Sequence, residues 1–169
     1  MTRNADIGLF TNPFLVFIAF FVWIGAANES RMVQMKSALS GIPVSRAMLT
    51  NYEVITPNEP LANAVQHILS GSQQDFPVVQ DGKVVGVLTK GNIFSGLNTY
   101  GDQARVEQVM EKDFVTADSH QMLETAFANL QDCGCHTLPI LHDNQLVGLV
   151  TMDNIGEFIR IQSTLRTPA

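Results

Sequence analysis

Apolar and polar positions divide the chain into one unbroken apolar stretch and a body patterned at two periods. Residues 7–27 read IGLFTNPFLVFIAFFVWIGAA and carry no charge. As a helix the stretch would reach about 31 Å, enough for a hydrocarbon core of ~30 Å. Pro13 suits a first helical turn, and from there the apolar run is 15 residues. Residues 29–39 then predict a short linking helix with Met32, Met35 and Leu39 on one side, ended by Gly41-Ile42-Pro43. Farther on, Leu61, Ala64, Val65, Ile68 and Leu69 follow the spacing of an amphipathic helix, as do Leu123, Ala126, Phe127 and Leu130. A short strand precedes each helix, ending at Thr56 or Thr116. A hairpin follows each: FPVVQ and KVVGVLT around Asp81-Gly82, then LPILH and QLVGLVT around Asp143-Asn144. Both dipeptides suit type I′ turns, which need φ > 0 at both central residues. A second helix begins after Thr89 and after Thr151.

These elements recur at an offset of 62 residues. Phe76-Pro77-Val78-Val79 answers Leu138-Pro139-Ile140-Leu141. Val85-Gly86-Val87-Leu88-Thr89 answers Val147-Gly148-Leu149-Val150-Thr151, and Asn92-Ile93 answers Asn154-Ile155. Val44, Met48, Leu61 and Ala64 answer Val106, Met110, Leu123 and Ala126. Pairing Thr56 with Thr116 instead needs an offset of 60, a small difference in loop length. A repeat fixes the architecture. One unit of ~55 residues buries little surface and is marginal alone, so two copies are expected to share a core around a pseudo-twofold axis. The strand–helix–strand–strand–helix order predicts an α+β (α/β-like) fold with helices covering small sheets. Clefts between the copies are where ligands would sit.

Charge sharpens the division. From Gly41 onward there are 7 Lys and Arg against 14 Asp and Glu. An acidic body without a basic face excludes nucleic-acid binding through phosphate contacts. Three readings fit the apolar stretch: a transmembrane helix, a signal peptide cleaved after Ala26-Ala27, or a buried core helix. Length and residue type favour the first. Asp6 offsets Arg3 and spoils a signal n-region, and a helix apolar on every face does not suit so small a core. Arg31, Lys36 and Arg46 follow the stretch and only Arg3 precedes it, so the positive-inside bias puts the body on the cytoplasmic side of a cell (inner) membrane. Cys133 and Cys135 are read as free thiols in a helix-to-strand loop, too close together for an easy disulfide. With His136 and His142 they do not reach the spacing of a zinc site.

The pattern Gly86-Val87-Leu88-Thr89-x-x-Asn92 after Phe76-Pro77-Val78-Val79 resembles a CBS domain. Gly148-Leu149-Val150-Thr151-x-x-Asn154 resembles a second, and together they resemble a CBS pair over roughly residues 42–160. The resemblance implies a regulatory ligand containing adenosine (AMP, ADP, ATP or S-adenosylmethionine) in the cleft between copies, and pairing of modules into homodimers. It implies contacts to that ligand from Thr56, Phe76, Pro77, Thr89 and Asn92, and from Thr116, Leu138, Pro139, Thr151 and Asn154. The family carries an acid where Asn92 and Asn154 stand. Asn offers one carbonyl acceptor in place of a charged pair of oxygens, so the hold on a ribose diol is weaker. Residues 12–50 are similar to the last membrane helix and linker of site-2-protease-like zinc metalloproteases that carry CBS pairs. The His-Glu-x-x-His helix of such proteases is absent from the sequence.

Each candidate also has a plainer reading. Thr89 and Thr151 suit helix N-caps, a contribution of ~1 kcal/mol each; a bound anion at the same helix ends would add a function. Lys90 would favour the first of these sites for a phosphate. Thr56 and Thr116 suit turns, and the two Pro-containing strand starts suit core packing at an edge strand. His67 and His120 are read as surface residues, and spacing alone shows no Ser-His-Asp arrangement. The expected organisation is a membrane segment at residues 1–28, a linker helix at 29–42, CBS domains at 43–100 and 101–164, and a tail at 165–169. The expected function is a membrane-tethered CBS-pair module regulating an attached metalloprotease, with no catalysis by this chain. A ligand-free dimerisation module and a metalloprotease fragment lacking its catalytic residues are the alternatives.

Overall fold

In this computed structural model the chain forms two compact units, Met1–Ala38 and Leu39–Ala169, and the structure describes residues 14–18, 20 and 38–166. In the first unit residues 14–18 and 20 are helical and exposed. Among the described residues no helix is long and apolar enough to cross a membrane. Most of residues 7–27, and of the expected linker helix at 29–39, lies outside the described residues.

The body runs α1 (Leu61–Ser70), β1 (Phe76–Gln80), β2 (Lys83–Leu88), α2 (Lys90–Tyr100), β3 (Ala117–Asp118), α3 (Leu123–Cys133), β4 (Thr137–His142), β5 (Gln145–Thr151) and α4 (Met152–Arg166). β1 and β2 form one antiparallel hairpin, and β3, β4 and β5 form a three-stranded sheet with β4 in the middle. Both hairpin turns have positive φ at each central residue: 50° and 78° at Asp81-Gly82, 49° and 64° at Asp143-Asn144. These are the type I′ turns that the sequence predicts. The register shifts between Val78 and Val79 and again between Ile140 and Leu141, so the irregularity too repeats at the 62-residue offset.

The expected first strands differ from the structure. In the first copy only Ile55 pairs, as a single parallel bridge to Val78. In the second, Ala117 pairs with Ile140. Ile55 therefore matches Ala117 at the undisturbed offset of 62, and the structural equivalent of Thr56 is Asp118, not Thr116. The like-with-like pairing of two threonines misplaced the register by two residues. Leu69, expected on the buried face of α1, is 81% exposed; it lies in the last turn, about 80° from Leu61 at ~100° per residue. Pro139 was expected on an edge strand but lies in the middle strand. Pro77 shows why this is tolerated. Its carbonyl accepts from Ile55 N–H at 3.1 Å, so its missing donor faces a neighbour that contributes only one bridge.

The copies exchange their leading segments. Val106 N–H donates to the carbonyl of Glu59 and Leu61 N–H to that of Ala104, while Val44 N–H donates to Gln121 and Leu123 N–H to Ile42. Each bond has its counterpart 62 residues away, in the opposite direction between copies. Val44–Arg46 and Val106–Gln108 are matching single 3₁₀ turns. Beyond them Leu49 bridges Leu149 on β5, and Glu111 bridges Val87 on β2. The first core accordingly mixes Ile55, Leu61, Phe76, Val78, Leu88 and Ile93 with Ala104 and Val106 from the other copy's leader.

This exchange explains the glycine of each Gly-x-x-Thr run. A Cβ at Gly86 would stand 2.8 Å from the carbonyl oxygen of Glu111 and 2.8 Å from Met110 Sδ. At Gly148 it would stand 2.9 Å from the Leu49 oxygen and 2.8 Å from Met48 Sδ. The leader's backbone lies where a side chain would begin.

Candidate functional site

Both strand-to-helix junctions are closed by a threonine and the asparagine three residues on. Asn92 N–H donates to Thr89 Oγ1 at 3.2 Å, and Thr89 N–H donates back to Asn92 Oδ1 at 3.2 Å. The Thr89 hydroxyl also donates to Asn92 Oδ1. In the second copy Asn154 N–H donates to Thr151 Oγ1 at 3.1 Å, and the Thr151 hydroxyl donates to Asn154 Oδ1 at 2.8 Å. The capping reading of these four residues is thus directly visible. A ribose would have to compete for the same atoms.

Two residues not singled out in the sequence join these junctions. Asp75, 6% exposed, precedes Phe76, and Thr137, 8% exposed, precedes Leu138; they are each other's counterparts in the repeat. Asp75 Oδ1 accepts from Lys90 N–H at 3.0 Å, and Oδ2 accepts from the Thr137 hydroxyl at 2.9 Å. Thr137 in turn pairs with Thr151 across the β4–β5 ladder. A path of neighbouring residues therefore runs across the pseudo-twofold: from Asn92 and Thr89 along the chain to Lys90, by hydrogen bonds to Asp75 and Thr137, and by strand pairing to Thr151 beside Asn154. Lys90, expected to favour an anion, has its ammonium 6.0 Å from the centroid of the Phe94 ring. The signal for Asp75 was available: an acid inside a run of small and amide side chains, immediately before a buried strand.

The other candidates are placed less centrally. Phe76, Pro77, Leu138 and Pro139 are buried at the starts of β1 and β4, beside Asp75 and Thr137, and so flank this path. Thr56 is exposed, its N–H and hydroxyl both donating to Glu59 Oε1 at 2.8 and 3.0 Å, which is a turn. Burial pushes the Glu59 carboxyl up, but hydrogen bonds from Asn63 and Thr56, with His67 nearby, outweigh it and hold the group below its ordinary range. Thr116 is half-buried and lines a shallow hollow of about 310 Å³ with Lys83, Val84, Phe114, Leu141 and Asn144. Asn92 borders a different one of about 200 Å³ along α2. These two hollows thus take in one candidate each.

Two further clusters are assembled by the fold. Ser119 Oγ lies 3.2 Å from His142 Nδ1, and the His142 ring is 5.0 Å from that of His120. Asp143, the carboxylate nearest His142 Nε2, is 3.7 Å away with its side chain 92% exposed. A base needs its second nitrogen held by an oriented acid, and this loose contact does not supply one. Cys133 and Cys135, expected as free thiols, are joined in a disulfide. Gly134, between them, ends α3 in the left-handed conformation at φ 64°, and their Cα atoms are 5.2 Å apart. Among the described residues no group of three His, Cys, Asp or Glu side chains could hold a metal ion.

The CBS domain family matches residues 35–98 and 106–160. Over 113 residues the chain is 28% identical to the zinc metalloprotease MJ0392 of Methanocaldococcus jannaschii, covering 67% of this chain but only 32% of that protein. Its fold is similar to the crystal structure of the CBS domain pair of MJ0100 in complex with 5′-methylthioadenosine and S-adenosyl-L-methionine. That match has TM-score 0.62 and 20% identity, and covers 71% of this chain and 97% of the other. It is also similar to CBSX2 in complex with AMP, with TM-score 0.63 and 21% identity over 75% of this chain and all of the other. The chain belongs to the CBS domain family and carries two copies as a pair, a regulatory and non-catalytic module.

Proposed function

We propose that this chain is a membrane-tethered regulatory module that takes an adenosine-containing ligand between its two CBS copies and controls an attached site-2-protease-like metalloprotease. The observation that carries the reading is the Asp75–Thr137 hydrogen bond, which joins the two copies beside their Thr–Asn junctions. Occupation of either junction bears directly on the contact between copies. A ligand shifts such an arrangement only by its different affinity for the two states. Relatives of the same fold support the ligand class, since two of them hold AMP or S-adenosylmethionine with 5′-methylthioadenosine. The apolar residues 7–27 support the tether, with the body on the cytoplasmic side, and the similarity to a zinc metalloprotease supports the attachment. The test is calorimetric titration of the 169-residue chain with AMP, ADP, ATP and S-adenosylmethionine. Binding of at least one supports the reading; no heat and no thermal shift with all four removes it.

A second reading is a homodimerisation module that has lost its ligand. It is favoured by the Thr89 and Thr151 hydroxyls, which are already engaged by Asn92 and Asn154. Sedimentation showing a concentration-dependent dimer, unchanged by every nucleotide, would select it. A strictly monomeric chain would dismiss it.

A further inference from the structure

A buried carboxylate normally demands a cation or a full set of donors. Asp75 is buried, and among the described residues its carboxylate accepts from a backbone N–H and a hydroxyl. The ion pairs of the described residues do not include it. Its charge is instead held at the N-terminus of α2, where free N–H groups and the helix dipole favour an anion. The N-terminus of α2, an end that favours an anion, is therefore occupied by the protein's own carboxylate. The matched position in the second copy is Thr137, which is neutral, so the substitution is specific to one copy. A further anion brought beside Asp75 would meet like charge away from water, where repulsion is strong.

We propose that Asp75 sets the charge of the ligand. The cleft takes an adenosine compound whose 5′ substituent is uncharged or cationic, such as a thioether or a sulfonium, and turns away compounds with anionic 5′ phosphates. This proposal rests on the adenosine reading above.

The experiment is calorimetric titration of the 169-residue chain, wild type, D75N and D75T, with 5′-methylthioadenosine, S-adenosylmethionine, AMP and ATP. Asn can accept from the Lys90 N–H as Asp does. Thr is what the other copy already uses at position 137, so a second variant is at hand if D75N melts early. Wild type is expected to bind the thioether or the sulfonium at least about tenfold more tightly than AMP or ATP. In a variant the affinity for AMP should rise by about tenfold or more, while that for 5′-methylthioadenosine changes by less than about threefold. AMP binding by a folded variant but not by wild type would also support the assignment. Wild type holding ATP as tightly as 5′-methylthioadenosine, or a preference untouched in both variants, overturns the role of Asp75 and leaves the adenosine reading standing. No binding of any of the four by any of the three proteins overturns both.

Discussion

Substituting Gly86 by Ala tests whether the exchanged leaders hold the body together. The added Cβ would meet the Glu111 carbonyl oxygen and Met110 Sδ, both at 2.8 Å. Met110 can swing aside, but the carbonyl cannot. It accepts from Val87 N–H at 2.9 Å, while Glu111 N–H donates to the Val87 carbonyl at 2.8 Å. Overpacking of this kind costs about 1–3 kcal/mol, and loss of the two bridge bonds would add about 1 kcal/mol each. Against this stands the reduced freedom of the unfolded chain, about 0.4–1 kcal/mol in favour of Ala. The net expectation is a loss of about 2–5 kcal/mol, or roughly 2–4 °C in melting temperature per kcal/mol for a chain of this size. The assay is urea unfolding followed by circular dichroism, with Gly91→Ala as control. Gly91 is helical, and its Cβ would find only Thr89 Oγ1 at 3.7 Å, so that change should stabilise by up to about 1 kcal/mol. Adding Met110→Ala should rescue only part of the Gly86→Ala loss. A Gly86→Ala protein as stable as wild type, or one fully restored by trimming Met110, would refute the backbone argument.

Thr89→Ala should cost about 1 kcal/mol through the lost cap, and Asn92→Ala on top of it should cost less than it does alone, because the two share one set of bonds; a double-mutant cycle by urea unfolding measures this. Phe127→Ala, at a side chain 1% exposed, should cost about 3–5 kcal/mol by the same assay. Glu59 has its carboxyl held below its ordinary range, so its contribution is present above that range and is lost as pH falls through its native value. The advantage of wild type over Glu59→Gln in urea midpoint should thus be under about 1 kcal/mol near neutrality and vanish in acid; an advantage that grows on acidification would reverse the sign of the argument.

The features legible in the sequence are those set by near neighbours. Asp81-Gly82 and Asp143-Asn144 dictate their turns by backbone conformation alone, and Thr89 and Thr151 cap the helices that follow within three residues. Leu123, Ala126, Phe127 and Leu130 are all buried, as their spacing requires. What escaped depends on segments far apart in the chain. The exchange of leaders was signalled only by Gly86 and Gly148, and a glycine says that something comes close without saying what. Asp75 acquires its meaning from Lys90 and Thr137, 15 and 62 residues away. The Thr116 register failed because residue identity was matched where the ladder instead matches position.

The two copies also separate what packing demands from what a site can vary. Positions in the exchanged leaders, or facing them, are the same in both: Val44 and Val106, Leu61 and Leu123, Gly86 and Gly148. Each pair meets the same geometry, so a change in either would disturb the same contact. Departures from the repeat include Asp75 against Thr137, Lys90 against Met152 and Thr56 against Asp118. The first two lie at the starts of the hairpins and of the helices α2 and α4, beside the Thr–Asn junctions. Asp75 and Thr137 are buried and hydrogen-bonded to each other, so this difference is built into the contact between copies. A symmetric scaffold with unequal charge at its two junctions has two chemically different ends to offer a ligand. The buried part of that asymmetry is the carboxylate at position 75, and changing that residue alone should alter binding.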